Sequence, residues 1–139
     1  MSLYKQNKTS SDLETKGVIF EYSLDDDGKP INFRIARAGG ANTKYSTVLA
    51  KLVKPYRRQL QTETVSPDTI QRIMREVYAE TIVLGWENVR DENGNEMEFT
   101  KENVIKLFTD LPDVFETIQE FANGNAAFLE SNLELAAKN

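Results

Sequence analysis

The chain of 139 residues contains no cysteine and no histidine. Without cysteine it has no disulfide bonds, thiol nucleophile or thiolate-bound zinc, and without histidine it has no Ser-His-Asp triad or imidazole-bound metal. Only carboxylate, lysine, tyrosine or serine–lysine chemistry would remain for an enzyme. We therefore expect a protein that is not an enzyme, with no catalytic residues, no cofactor and no metal site.

Long apolar runs are also absent. No stretch approaches the roughly 20 apolar residues that a membrane-spanning helix needs, and residues 1–16 lack the apolar centre of a signal peptide. We therefore expect a cytosolic protein without a membrane partner. With 40% hydrophobic residues, a chain of this length is expected to build one domain with one core.

Charge is distributed unevenly along the chain. Residues 1–70 carry 11 basic and 8 acidic side chains, and residues 71–139 carry 6 basic and 14 acidic ones, so the net charges are +3 and −8. Residues 29–62 contain eight Lys or Arg and no acidic residue, whereas residues 91–134 contain 11 acidic residues and two lysines. Such asymmetry favours association with an oppositely charged surface, either the acidic half of another copy or a nucleic acid.

Two short patterns near the N-terminus predict a β-hairpin. Apolar and polar side chains alternate over residues 17–24 and again over residues 30–37, with Ile19 as an exception to the alternation. The intervening Asp25-Asp26-Asp27-Gly28 is rich in the residues that tight turns prefer. Because an isolated hairpin is only marginally stable in water, we expect it to pack on helices.

An apolar stripe predicts the first long helix. Apolar side chains from Tyr45 to Leu60 follow helical spacing for four turns, after a start at Asn42 or Thr43. Pro55 lies within this stripe and removes a backbone donor, which predicts a kink or break near residues 51–54.

Capping residues and prolines predict three further helices. Their start signals are Ser66-Pro67-Asp68, Thr100 and Pro112. The first of these helices is expected to end near Leu84–Gly85, and Gly124 is expected to weaken or split the last one. Their expected inward side chains are Ile70, Ile73, Met74, Val77, Tyr78 and Thr81, then Val104, Leu107 and Phe108, and finally Val114, Phe115, Ile118, Phe121, Ala122, Phe128 and Leu129.

The expected fold is mainly α, with four to five helices in one bundle-like domain and a small N-terminal β-hairpin, and hence α+β. Residues 1–15 are polar and are expected to be a flexible N-terminal arm, whereas residues 16–137 form a single mostly helical domain. Residues 84–115, which include the only tryptophan, Trp86, are expected to be the hinge that sets the earlier helices against the C-terminal ones.

Two acidic turns have the composition of calcium loops but not their spacing. An EF-hand loop requires glycine at the sixth position and glutamate at the twelfth. Counting from Asp91, the sixth residue is Glu96, and counting from Asp25, the sixth and twelfth residues are Pro30 and Ala36. We interpret both as solvated turns. Gly39-Gly40 likewise lacks the spacing and the lysine of a phosphate-binding loop.

The basic tract, residues 29–62, has three interpretations: the solvent-exposed side of a helix, a protein interface or a nucleic-acid site. The acidic pI of about 4.9 and the inward position of the two tyrosines in the stripe disfavour nucleic acid. Trp86 is more typical of a core or hinge anchor than of a ligand platform, but it is retained as a candidate. The candidate partner-binding residues are Lys51, Lys54, Tyr56, Arg57, Arg58 and Trp86.

Six short motifs, taken in order, resemble the tail assembly chaperones of long-tailed, siphovirus-type bacteriophages. They are RAGG-N over residues 37–42, KPYRR over 54–58, EVYAET over 76–81, W-x-x-V-x-D-x-x-G over 86–94, F-T-x-E-N over 99–103 and LFTDLPDVF over 107–115. The resemblance covers residues 33–129 and rests on the order and spacing of the motifs, since no single one is specific.

The resemblance implies a protein that binds the tape measure protein, keeps it soluble and helps recruit tail tube subunits. Such a chaperone is expected in the host cytoplasm and absent from the mature virion, and it offers no catalytic residues to assign. The charge asymmetry adds an expectation of weak head-to-tail self-association. The alternative is a structural tail or head–tail connector protein, which would be present in the virion.

Overall fold

The computed structural model describes residues 2–133. The end of the predicted domain, residues 134–137, therefore lies outside the described residues. Within residues 2–133, no helix is both long and apolar enough to cross a membrane.

Three antiparallel strands form one sheet in the order β1-β2-β3. β1 (Val18–Leu24) and β2 (Pro30–Ile35) form the predicted hairpin, with a bulge between Glu21 and Ser23. β3 (Val83–Glu87) lies on the other side of β2 and pairs Trp86 with Phe33. The hairpin is thus confirmed, and β3 is an element that the sequence did not predict.

Helices and short 3-10 turns make up most of the remaining chain. The α-helices with both ends inside the described residues are α1 (Leu3–Asn7), α2 (Ser11–Lys16), α3 (Thr43–Val53), α4 (Arg57–Gln61), α5 (Pro67–Thr81), α6 (Lys101–Asp110) and α7 (Pro112–Asn123). The 3-10 turns are Lys54–Tyr56, between α3 and α4, and Ala126–Phe128, after α7. Residues 130–133 are again helical up to the end of the described part.

The helices cover one face of the sheet. On that face Phe20 stacks on Phe121 of α7, with ring centroids 4.4 Å apart, and Phe33 is buried. The opposite face carries exposed side chains such as Ile19 and Arg34. The prediction of a bundle of four to five helices is therefore wrong: within residues 2–133 the protein is α+β, with seven complete α-helices and a three-stranded antiparallel sheet. The reason is that residues 83–87 pair with β2 and turn the hairpin into a packing surface.

The core lies between this sheet, α5, α6 and α7. Aromatic rings connect the layers: Tyr78 of α5 meets Phe115 of α7 edge-on at 5.3 Å, and Phe115 stacks on Phe108 of α6 at 4.7 Å. Complete burial raises the pKa of Tyr78 strongly, and nearby Tyr45 adds to this. The Tyr78 hydroxyl therefore stays neutral, and the side chain is part of the hydrophobic core.

The three predicted helix starts are confirmed, those at Ser66 and Thr100 by side-chain caps and that at Pro112 without one. The side chains of Ser66 and Thr100 accept hydrogen bonds from the backbone N–H groups of Thr69 and Asn103, both at 3.1 Å. Pro55 lies in the 3-10 turn that separates α3 from α4, as the predicted break requires. Gly124 ends α7 and separates it from the following 3-10 turn.

Other local predictions are wrong. α5 ends at Thr81 and not near Leu84–Gly85, because the apolar residues after Ile82 pair with β2. Ile70 and Leu60 were both expected to face inward, yet each is 40% exposed. Ile70 lies in the first turn of α5 and Leu60 in the last turn of α4, and neither belongs to the hydrophobic core.

The predicted arm, residues 1–15, contains α1 and most of α2. Ser10 and Glu14 are buried, and the backbone N–H of Ser10 donates to the carbonyl of Phe128 at 2.8 Å. Lys8 and Glu130 add an ion pair at 3.4 Å across the same junction. Residues 8–14 therefore pack on the domain, while the flexibility assigned to residues 1–15 stays a prediction.

Candidate partner-binding surfaces

Four of the six candidate residues lie on one exposed segment. Lys51 belongs to α3, Lys54 to the 3-10 turn, and Arg57 and Arg58 to α4, and all four side chains are exposed. Within residues 2–133, none of these four cations forms an ion pair, although seven contacts of that kind occur elsewhere. We call residues 51–58 the basic segment.

Tyr56 fixes the basic segment to α5. The guanidinium group of Arg72 donates a hydrogen bond of 2.5 Å to the Tyr56 hydroxyl and lies 5.9 Å from the centre of its ring. Because Tyr56 is half-buried in this contact, its first role is structural. The contact ties the 3-10 turn between α3 and α4 to α5, and the neighbouring cations are exposed.

Trp86, the sixth candidate, lies apart from the basic segment on β3. Its indole N–H donates to the carbonyl of Met97 at 3.0 Å, and its ring meets Phe33 and Phe99 edge-on. These contacts tie the strand to the loop before α6. The role of all six residues in partner binding stays a prediction, and the structure places five of them together.

An open groove lies between the end of the hairpin and the α6–α7 corner. Its first part has a volume of about 350 Å³ and its floor is apolar. A second concavity of about 200 Å³ continues past Arg90, Leu107 and Leu111, which line both. The apolar lining is formed by Tyr22, Leu24, Ile31, Phe33, Val89, Met97, Leu107, Leu111 and Val114.

Acidic side chains predominate at the rim of this groove, and we call it the acidic groove. Five carboxylates and two cations line the two concavities. Lys106 is held by Asp110 at 2.7 Å and by Glu92 at 3.5 Å. Asp110 and then Glu92 raise the pKa of Lys106, so it stays charged and paired. The remaining carboxylates leave the rim negative.

Asp25 shapes the first wall of the acidic groove. One of its carboxylate oxygens accepts from the backbone N–H groups of Asp27 and Lys29, at 2.9 and 2.8 Å, and the other accepts from the Asn88 side chain at 2.5 Å. Because Asn88 and these backbone groups stabilise the carboxylate, the pKa of Asp25 lies below its ordinary value. The contact holds the hairpin turn against the loop after β3.

The Arg37–Asn42 motif builds a largely buried polar network. The Arg37 guanidinium group pairs with Glu14 of α2, and the other Glu14 oxygen accepts from the backbone N–H of Ala41 at 3.2 Å. The Asn42 side chain donates to the carbonyls of Arg37 and Thr81, at 2.8 and 3.3 Å. The motif therefore joins α2, the start of α3 and the end of α5.

The acidic turn that begins at Asp91 is satisfied by its own backbone. The Asp91 carboxylate accepts from the N–H groups of Asn93 and Asn95, at 2.9 and 3.0 Å, and Gly94 adopts a φ of 81°. In the part of the chain that the structure describes, no cluster of three or more acidic residues has the arrangement of a metal site.

Sequence reasoning missed the acidic groove and Glu14. The groove depends on β3 and on contacts between distant segments, which no local pattern shows. Ser10 caps α2 by accepting from the backbone N–H of Leu13 at 3.3 Å, and this serine followed by the acids Asp12 and Glu14 is a helix-start signal that could have indicated α2. Nothing near Glu14 in the sequence indicates its pairing with Arg37.

Comparison with known protein families shows that the chain is phage-related. The model of the YdaY prophage protein family matches residues 40–139, more than half of the chain. The chain therefore belongs to the YdaY prophage protein family. No curated protein and no solved structure gave a match.

Proposed function

We propose that this protein is a phage tail assembly chaperone that binds the tape measure protein, keeps it soluble and helps recruit tail tube subunits. The observation that carries the proposal is the basic segment: Lys51, Lys54, Arg57 and Arg58 are exposed together beside an incompletely covered apolar stripe. The phage origin of the family and the motif resemblance over residues 33–129 support the same function.

The apolar stripe suits a partner that exposes helices. Val48, Leu49 and Leu52 of α3 are only half-buried, and α3 contains no buried residue. Leu60 of α4 is 40% exposed. A helical partner that aggregates alone would cover such side chains, and the surrounding cations would hold acidic groups at the rim of the contact.

The charge pattern supports weak head-to-tail self-association as part of this function. The basic segment lies on α3 and α4, whereas Asp113, Glu116 and Glu120 are exposed on α7. Within residues 2–133 none of these three carboxylates forms an ion pair. A contact between unlike surfaces leaves each copy able to bind another, which produces rings or open spirals. Such contacts weaken as salt rises.

The proposal places the protein in the host cytoplasm and outside the mature virion. It involves no nucleic acid, no membrane and no catalysis. Its partners are the tape measure protein, the tail tube protein and further copies of the chain. A structural tail or head–tail connector protein is the alternative, and it would keep a fixed place in the particle.

The proposal is tested by co-expression with the tape measure protein of the same prophage. We expect the tape measure protein to become soluble and to co-purify with this chain. The double variant Arg57→Glu/Arg58→Glu is expected to lose most of this effect. The matched control, Lys5→Glu/Lys29→Glu, reverses two exposed cations outside the basic segment and is expected to act as the wild type does. A tape measure protein that stays insoluble with the wild type contradicts the proposal.

A further inference from the structure

We infer that the acidic groove is a docking site for a basic amphipathic helix of a partner protein. The inference deepens the proposed function, because it rests on a helical partner and gives that partner a second site, away from the basic segment. It depends on three observations: exposed apolar side chains in the groove, an acidic rim and a firmly held back wall.

The first observation is the exposure of apolar side chains where the groove opens. Leu24 is 60% exposed and Leu111 is 48% exposed. Leu24 ends β1 in the hairpin, and Leu111 lies between α6 and α7, so the two come from different walls. Covering both would remove a continuous apolar surface from water, and an amphipathic helix does this with side chains spaced one turn apart.

The second observation is the charge of the rim, which determines the charge that a bound helix can carry beside its apolar face. Asp26 is exposed beside Leu24, and Glu92, which shares Lys106 with Asp110, is exposed beside the second concavity, so that five carboxylates and two cations line the groove. Both rim cations are already engaged, since Arg90 donates to the carbonyl of Gly94 at 3.0 Å and Lys106 pairs with Asp110. The rim therefore attracts Lys and Arg at the flanks of a helix and repels Asp and Glu.

The third observation is the support behind the floor. Phe33 lines the first concavity and Met97 lines the second. Trp86 contacts both, through an edge-on ring contact with Phe33 at 6.1 Å and a hydrogen bond to the Met97 carbonyl at 3.0 Å. A floor held in this way keeps its shape without the partner, which reduces the ordering cost of binding.

The same groove is a poor match for α4 of another copy. α4 reads Arg-Arg-Gln-Leu-Gln and offers one apolar side chain, Leu60. The groove, by contrast, has two concavities and exposed apolar side chains on two walls. A longer helix with several apolar residues on one face and cations beside them fits these features better than the five residues of α4.

The test uses two designed, tryptophan-free peptides of about 20 residues, which span roughly 30 Å as helices. They share one apolar face and differ only in carrying Lys or Glu at the flanking positions. Binding to the full chain is followed by the fluorescence of Trp86, its only tryptophan, and by peptide anisotropy. We expect the Lys peptide to bind roughly tenfold or more tightly than the Glu peptide, with an affinity that falls as salt rises.

Variants locate the site. Leu24→Ser/Leu111→Ser alters two exposed side chains. It is expected to weaken binding of the Lys peptide roughly tenfold without unfolding the protein. The matched control, Leu3→Ser/Ile19→Ser, changes exposed apolar residues outside the groove and outside the apolar stripe of α3 and α4 and is expected to bind as the wild type does. Three results would overturn the inference. They are equal binding of both peptides, an equal loss of peptide binding in both variants, and a Leu24→Ser/Leu111→Ser variant that changes self-association but not peptide binding.

The groove inference and the proposed chaperone function can be refuted independently. If the tape measure protein is solubilised by wild type and by Leu24→Ser/Leu111→Ser alike, the groove inference is wrong and the proposed function stands. If the tape measure protein is never solubilised but the Lys peptide binds in the groove, the docking site stands and the proposed function is wrong.

Discussion

Glu14 and Arg37, 23 positions apart, form an ion pair that fastens α2 to the loop between β2 and α3. The Glu14 side chain is only 4% exposed, and it lies against Gly40, where an added Cβ would overlap its carboxylate. Gly40 also adopts a φ of 55°, which side chains disfavour. Gly40 of the Arg37–Asn42 motif therefore makes room for a carboxylate from the first 15 residues.

Gly40→Ala is expected to destabilise the fold by about 2–3 kcal/mol, because the change adds backbone strain and displaces Glu14. The free energy of unfolding from chemical denaturation measures this. Gly94→Ala is the control: Gly94 has a φ of 81° but nothing within 4 Å of the added Cβ. Gly94→Ala should lower the free energy of unfolding by about 1 kcal/mol, from backbone strain alone. Equal losses in the two variants would show that contact with Glu14 does not matter.

Glu14→Ala is expected to cost roughly 2–3 kcal/mol, since it leaves Arg37 without its partner. The loss is smaller than for a fully buried pair because 23% of the Arg37 side chain is exposed. Removing Asp12, whose contact with Lys16 is exposed and 3.9 Å long, should cost about 0.5 kcal/mol or less. A double-mutant cycle of Glu14→Ala with Arg37→Ala measures the coupling, and a coupling near zero would contradict this role.

Asn88→Gly is expected to raise the pKa of Asp25 toward its ordinary value of 3.8, because Asn88 is the first cause of its lowering. Glycine keeps the φ of 64° that Asn88 adopts and removes the side-chain amide, which also donates to the carbonyls of Lys29 and Pro30 at 3.4 Å. The folded-state pKa lies below the unfolded one, so Asp25 stabilises the fold above pH 3.8, and this contribution disappears as the pH falls through the folded-state pKa. Carboxyl carbon chemical shifts during an acid titration measure the change, and Asn95→Gly should leave the Asp25 titration unaltered.

Trp86→Phe is expected to cost about 1 kcal/mol or slightly more, because the half-buried Met97 carbonyl loses its donor. Thermal and chemical unfolding measure this loss. Phe99→Leu, which keeps the hydrogen bond and removes the edge-on ring at 5.3 Å, should cost less than Trp86→Phe. The opposite order would assign the anchoring of β3 to ring packing and not to the hydrogen bond.

Short sequence patterns correctly predicted the elements that depend on neighbouring residues alone. Ser66 and Thr100 cap helices with their own side chains, Pro55 breaks one, and the hairpin follows from alternation around a turn. β3 escaped prediction because Val83 and Trp86 become a strand only by pairing with β2, about 50 positions earlier. As a continuation of α5, the same residues have an equally plausible apolar pattern.

The surfaces were predictable in part. The basic segment was visible as a run of cations without acids, and the structure places its residues on one exposed segment. The acidic groove was not visible, because Leu24 and Leu111 are brought to facing walls only by the packing of the hairpin on the α6–α7 corner. Trp86 supports that groove from behind, a position that its isolation in the sequence does not reveal.

The most direct test of the chaperone proposal is quantitative mass spectrometry of an induced lysogen. The protein is measured in the cell lysate during tail assembly and in purified virions, with the tail tube protein as the reference for virion content. The chaperone account predicts abundant protein in the lysate and none in the virion at stoichiometric level. A constant number of copies per particle would contradict it and would establish the structural alternative.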